Sequence, residues 1–312
     1  MTGSIQLQFD PASLVTLNAI LACMMFGVSL SLTATDFKRV LIAPRAPLAG
    51  LFAQFVLLPA GTCLATWLLR IDPELALGMI LVSACPGGSF SNIMTWLARG
   101  NVAVSVSMTA VSSLAATVLT PLNFAFYGWL NPHTRGLLTE IAVDPGSILG
   151  LVLLVLGLPI VLGMLAGKRF PGLAGRVEKP LRAVALLVFL AFVGIAFANN
   201  YGLFLERFHT FFWLVVGHNS LALALGALMA WLLRLPVADR RAVTLEVGIQ
   251  NSGLGLVILF TFMPEAGGMM LITAFWGVWH LVSGLLLANF WAGRDRARER
   301  AAGRQPSIEH AD

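Results

Sequence analysis

Apolar residues run along this chain in long blocks separated by short polar stretches. A helix needs about 20 apolar residues to cross a bilayer. Nine blocks meet that length, at about 12–32, 46–69, 73–98, 101–128, 145–167, 183–203, 208–233, 242–262 and 268–293. Proline marks many of the block edges, as at Pro11, Pro44, Pro73, Pro132 and Pro171. Two blocks are interrupted internally, the third by Pro86, Gly87 and Gly88 and the eighth near Gly248 and Gly253. The pattern predicts an all-α polytopic membrane protein with about nine transmembrane helices, two of them broken.

Composition agrees with that class. Of 312 residues 58% are hydrophobic and 11% charged, against about 25% charged in a soluble domain. The first block lacks a basic leader and is long enough to span, so it is expected to stay as a helix rather than be cleaved. Cys23, Cys63 and Cys85 all fall in apolar blocks, so no disulfide framework is implied. No Walker loop, dinucleotide fingerprint or HExxH is present, which leaves no expectation of an enzyme.

The net charge of +5 changes the picture only through its placement. All but three of the 20 Lys and Arg residues lie in odd-numbered loops or after the last block. The exceptions are Arg70, Arg135 and Arg207. Under the positive-inside rule this puts the N-terminus outside and the C-terminus in the cytoplasm. The basic charge thus sets topology in the inner (plasma) membrane and gives no reason to expect nucleic acid. The charged tail from Arg294 reads as a solvated stop-transfer flank with a disordered end, or else as a site for anionic lipid or a partner.

The two interrupted blocks lie five spans apart and therefore cross the membrane in opposite directions, the signature of an inverted-topology repeat. Residues 1–144 form the first, shortened repeat, 145–293 the second, and 294–312 the tail. Spans one to four correspond to spans six to nine, and span five has no counterpart, as if an N-terminal helix had been lost.

Glu246 is the one acidic residue inside a span. A charge at the bilayer centre costs roughly 2.5–3.5 kcal/mol, so this carboxylate needs a cation. Sodium or a proton would serve. So would Arg240 or Arg241, since Arg241 is only five residues away, about 7.5 Å of helix. Gln250 shares the face of Glu246, and Asn251 and Ser252 follow at the break. Unwound backbone there offers carbonyls to a hard cation and helix N-terminal amides to an anion.

Ser89, Ser91 and Asn92 open the second half of span three, where they could also be ordinary caps. Ser105 and Thr109 share a face of span four, near Ser112 and Ser113. Such hydroxyls often bond their own helix instead. Gln54 in span two could simply join helices. His218 with Asn219, and Trp279 with His280, read as packing residues. Met24, Met25, Met269 and Met270 read as gap fillers, and Cys85 as inert, with nothing basic beside it.

The segments Cys85–Thr95, Arg99–Asn101, Glu246–Gly253 and Trp279–His280 together resemble the bile acid:sodium symporter family over nearly the whole length. The resemblance implies a core domain, in which two broken helices cross at mid-membrane, and a panel domain that moves against it. It implies two sodium ions. One maps onto Ser91, Asn92, Ser105, Thr109 and Glu246. The other maps onto Gln54, Glu246 and Gln250 with backbone carbonyls around Val247 and Ile249. Substrate would lie by the crossover, touching Ser89 and Asn251 with His280 nearby. Ser89 stands where the family commonly has threonine, and Leu281 where some bile-acid binders have asparagine. The expected function is secondary active transport, a sodium symport of an organic anion such as a bile acid or a small carboxylate like pantoate. The alternatives are a proton-coupled carrier, an arsenite-type oxyanion effluxer using a Cys85 thiolate, and a non-transporting receptor.

Overall fold

The computed structural model describes residues 19–23, 25–27, 29–141, 145–199 and 201–302. A first helical segment, at residues 19–23 and 25–27, is followed by α1 (Ala34–Ile42), α2 (Arg45–Leu68), α3 (Pro73–Ala84) and α4 (Phe90–Leu97). Then come α5 (Val102–Leu130), α6 (Arg135–Ile141), α7 (Gly146–Arg169) and α8 (Pro171–Asn199). The chain ends with α9 (Tyr201–Leu232), α10 (Val237–Gly248), α11 (Ser252–Phe262) and α12 (Gly267–Ala301). Among the described residues there is no strand, only one isolated bridge between Gly87 and Gln250.

Among the described residues five helices are long and apolar enough to cross a membrane: α2, α5, α7, α12 and the Phe208–Leu232 part of α9. The third block is split into α3 and α4 and the eighth into α10 and α11. The sixth falls mostly in α8, which begins earlier, at Pro171, and its last residues, from Tyr201, open α9; residue 200 lies outside the described residues. Residues 12–18, Met24 and the tail beyond residue 302 lie outside the described residues. Two short helices, α1 and α6, were not foreseen. They are too short to register as apolar blocks. A capping box starts α1, with the Thr33 amide and hydroxyl both donating to Asp36 at 2.8 Å.

Local chemistry sets the other ends. Asp72 caps α3 by accepting from the amides of Glu74 and Leu75, with Pro73 at the first helical position. Helices α2, α4 and α9 each end on an arginine in the left-handed region, Arg70, Arg99 and Arg234. In each case the next amide reaches back across the last turn, for example Gly100 N to Thr95 O at 2.8 Å. The turn therefore places a positive charge just past the apolar helix.

Proline also reshapes two helices from within. In α2 a π turn spans Ala53–Leu57 and in α7 another spans Leu153–Gly157, just before Pro59 and Pro159. Pro59 has no N–H, so the carbonyl of Phe55 loses its helical partner. Asn123 of α5 supplies a replacement, its Nδ2 donating to Phe55 O at 2.9 Å. The wider turn carries Gln54.

Helices α3 and α11 are apolar and buried nearly throughout, so they form the interior. Large apolar side chains on α2, α5, α7 and α9, such as Trp67, Phe126, Leu154 and Trp231, face outward. Apolar surface on both sides of these helices suits a lipid surround. On α7, Gly163 and Gly167 lie against the first helix. A Cβ at 167 would sit 2.0 Å from Leu30 O, and one at 163 would sit 2.7 Å from Phe26 O. Small residues four apart let helices approach this closely in a membrane. Gly167→Val should therefore lower the melting temperature in detergent sharply or prevent recovery of folded protein. Gly136→Ala, with nothing within 4 Å of the new methyl, should leave melting nearly unchanged, both read by intrinsic fluorescence.

Candidate functional site: a buried carboxylate where two broken helices cross

Helix α3 stops at Ala84 because Pro86 follows. Cys85 is extended, at φ −70° and ψ 158°. The chain then passes antiparallel to the break between α10 and α11. Gly88 N donates to Ile249 O at 2.6 Å, and Asn251 N donates to Pro86 O at 2.8 Å. Two backbone hydrogen bonds thus tie one break to the other and satisfy groups that neither helix could.

The glycines permit this approach. A Cβ at Gly87 would lie 2.3 Å from Oε1 of Glu246, and one at Gly88 would lie 2.9 Å from Gln250 O. Asn219 of α9 supports the end of α10, its Nδ2 donating to Gly248 O at 2.8 Å, and Ser283 of α12 in turn holds Asn219 at 2.6 Å.

Glu246 is 1% exposed. Its Oε2 accepts from the hydroxyls of Ser91, at 2.5 Å, and Ser105, at 2.9 Å. Its Oε1 accepts from the Thr109 hydroxyl at 2.6 Å. Asn92 Oδ1 lies 3.2 Å from that same hydroxyl, and Thr95 donates to Ser105 at 3.3 Å. Helices α4, α5 and α10 therefore converge on one carboxylate. Among the described residues no Lys or Arg pairs with it. Arg241 instead bonds Asp295 at 2.6 and 2.9 Å, and Arg240 donates to Leu235 O. Pairing with Arg240 or Arg241 is thus ruled out by where those side chains go.

The second group of residues is also brought together. Gln54 Nε2 donates to Gln250 Oε1 at 2.6 Å and to Cys85 O at 2.9 Å. Gln250 Nε2 donates to Val247 O at 2.7 Å. The carbonyls of Val247 and Ile249 each accept one bond from these contacts and keep a second lone pair. Gln54 Oε1 is buried with no hydrogen-bond partner. A buried acceptor left so costs about 1–3 kcal/mol, and a hard cation would satisfy it. The donors in both groups are hydroxyl, amide, carboxylate and backbone oxygens, the set that hard cations take. Among the described residues no three His, Cys, Asp or Glu side chains gather as a softer metal would require.

Ser89, Asn251 and His280 line one small cleft with Gly88, Gln250 and Gly277. It encloses about 20 Å³, room for about one water. His280 Nδ1 is buried there with no partner. The side chain of Asn251 caps α11 by accepting from Leu254 N at 3.1 Å, while its Nδ2 faces Met25 Sδ.

Other polar residues resolve as packing. His218 Nε2 is 2.7 Å from the Thr62 hydroxyl, with its ring beside Trp276. Cys85 is buried, and its Sγ faces the position of a Cβ at Gly255. Among the described residues no cationic group accompanies it, which disfavours a thiolate site. The sequence reading missed Asn123 and the pairing of Arg241 with Asp295, because each depends on a partner distant in sequence.

Residues 18–207 match the Sodium Bile acid symporter family. The chain belongs to that family. It is 32% identical over 289 residues to the Uncharacterized sodium-dependent transporter YocS of Bacillus subtilis, covering 92% of this chain and 85% of the relative. It is 33% identical over 274 residues to the Probable sodium/metabolite cotransporter BASS1, chloroplastic, of Oryza sativa subsp. japonica, covering 86% of this chain and 63% of that protein. The Sodium-dependent organic anion transporter of Rattus norvegicus is 26% identical over 310 residues, covering 97% of this chain and 80% of the relative. The family match ends before Glu246, and the Bacillus alignment covers most of the remainder. The chain is thus a multi-pass membrane protein of a sodium-dependent transporter family, and these three relatives carry transporter names rather than enzyme names.

Thr109→Val removes one donor from the Glu246 carboxylate, and Asn123→Leu leaves the Phe55 carbonyl unpaired. Each should cost about 1–3 kcal/mol of stability, seen as a lower melting temperature in sodium-free buffer. Ser112→Ala, whose hydroxyl bonds only its own helix at Thr109 O, should change it much less.

Proposed function

We propose that the protein is a secondary active transporter that couples sodium to the uptake of an organic anion across the inner (plasma) membrane. The observation that carries this reading is the Glu246 carboxylate. It is buried at a crossing of two broken helices, ringed by hydroxyls and without a cationic side chain among the described residues. One sodium ion is assigned to Glu246 with Ser91, Asn92, Ser105 and Thr109. A second is assigned to Glu246, Gln54 and Gln250 with the carbonyls of Val247 and Ile249. The unpartnered Gln54 Oε1 supports the second assignment.

Bound sodium neutralises the carboxylate and pins α4 and α5 to α10, so substrate binding follows sodium binding. The anion then meets Ser89, Asn251 and His280 beside the N-termini of α4 and α11, whose amides favour negative charge. The small cleft there does not admit an organic anion as it stands, so binding requires movement. In the arrangement proposed, nine spans lie with the N-terminus outside, and the halves 1–144 and 145–293 form an inverted repeat. The panel, built on the first helix with α7 and α8, rocks against a core carrying the crossing. The names of the Rattus and Oryza relatives favour an organic anion or metabolite as cargo. Inward movement of each sodium charge draws about 2.3 kcal/mol per 100 mV from the membrane potential.

The test uses purified protein in sodium chloride against choline chloride at equal ionic strength. Sodium should raise the melting temperature of the wild type, by the mass-action stabilisation of a bound ligand. Glu246→Gln and Gln250→Ala should abolish most of that rise while remaining folded. Taurocholate or pantoate should add stability only when sodium is present. Stabilisation by either anion that ignores sodium and follows pH instead would favour a proton-coupled carrier and overturn the sodium reading.

A further inference from the structure

Helix α12 does not end at the membrane. It continues through the charged stretch to Ala301, so Asp295 and Glu299 lie one turn apart on one face. Asp295 accepts a bidentate pair of hydrogen bonds from Arg241, at 2.6 and 2.9 Å. Arg241 also donates to Ala98 O at 2.7 Å, and its guanidinium lies 5.8 Å from the centre of the Trp291 ring. Glu299 accepts from Arg99 at 2.5 Å. Arg99 and Ala98 close α4, and Arg241 lies in α10. The extension of α12 therefore grips the cytoplasmic ends of both helices.

Beneath these ion pairs the same three helices share an apolar cluster of Met94, Ala98, Leu245, Ile249 and Ala288. Gly284 lets α12 sit close, since a Cβ there would be 2.2 Å from Met94 Sδ and 3.0 Å from Ile249 Cδ1. Helix α5 is tied to the same place, because Asn101 caps it and also donates to Asp239 at 2.8 Å. These are the helices that bring Ser91, Ser105, Thr109 and Glu246 together. Glu246 is one and a half turns beyond Arg241, about 7.5 Å along α10.

We infer that Asp295 and Glu299 are positioning residues for the cation site: acting through Arg241 and Arg99, they hold α4 and α10 in the register that places Ser91 on Glu246, and so set the affinity for sodium. Neither touches the ion. Bidentate charge-assisted bonds are directional enough to fix a helix rotation, and a site of this kind loosens when its support shifts by about 0.5 Å. The inference depends on the sodium reading above.

The experiment titrates full-length protein with sodium chloride, replacing choline chloride, and reads half-saturation from the melting temperature. Asp295→Ala should raise half-saturating sodium roughly tenfold and Glu299→Ala roughly threefold. Arg296→Ala, on the same turns but pointing to solvent, should stay within about twofold. Asp295→Ala with Arg241→Met removes the uncompensated charge as well. It should recover melting in choline while sodium affinity stays weak. Recovery of both would assign the pair a merely structural role and overturn the inference. So would half-saturation within about twofold of wild type in both single variants. If Asp295→Ala does not fold, Glu299→Ala decides. A wild type with no sodium-specific shift refutes the sodium reading itself, and the inference with it.

Discussion

The Glu246 carboxylate sits where four segments meet, and the arrangement around it exists to make that burial tolerable. Its oxygens take three hydroxyl donors from α4 and α5. The crossing itself brings Gly87 against it so closely that no side chain fits between. Both helix breaks follow from this constraint. Unbroken helices would hold their backbone groups internally and keep Ser91 and Gln250 apart. Broken ones expose carbonyls and amides, which pair across the crossing at Gly88 with Ile249 and at Pro86 with Asn251.

The supports extend outward in layers. Asn219 holds the last carbonyl of α10. Pro59 opens α2 into a wider turn, Asn123 satisfies the carbonyl it frees, and Gln54 on that turn reaches Gln250. Farther out, the charged extension of α12 closes over the end of α4 at Ala98 and Arg99 and over Arg241 of α10. Two polar atoms at the site, Gln54 Oε1 and His280 Nδ1, are buried without partners. Unmet polar capacity beside a crossing of two broken helices is what a binding site requires before its ligands arrive.

Much of this was legible in the sequence, for a physical reason. In an apolar chain a carboxylate, a run of Asn and Ser, or a Pro-Gly-Gly is costly, so it stands out. Glu246 and the two interruptions could be picked out with no structure. Ser105, Thr109 and Gln54 could not, since a membrane hydroxyl or amide usually has a local use; the family resemblance singled them out, and the structure places Ser105 and Thr109 at the carboxylate and Gln54 against Gln250. The supports were illegible. Nothing local links Asn123 to Phe55 or Asp295 to Arg241, and a charged tail after the last span looks the same whether it is solvated or paired. The short helices α1 and α6 escaped because periodicity over so few residues resembles a loop.

The central claim is that a cation of sodium's character sits on Glu246 between the crossing helices. The most direct measurement is anomalous scattering from crystals in which thallium(I) replaces sodium. The account predicts two peaks, one within bonding reach of Glu246, Ser91, Ser105 and Thr109, the other near Gln54 and Gln250, both lost on adding excess sodium. Crystals with no anomalous density at the crossing, or with peaks there that sodium does not displace, would contradict it.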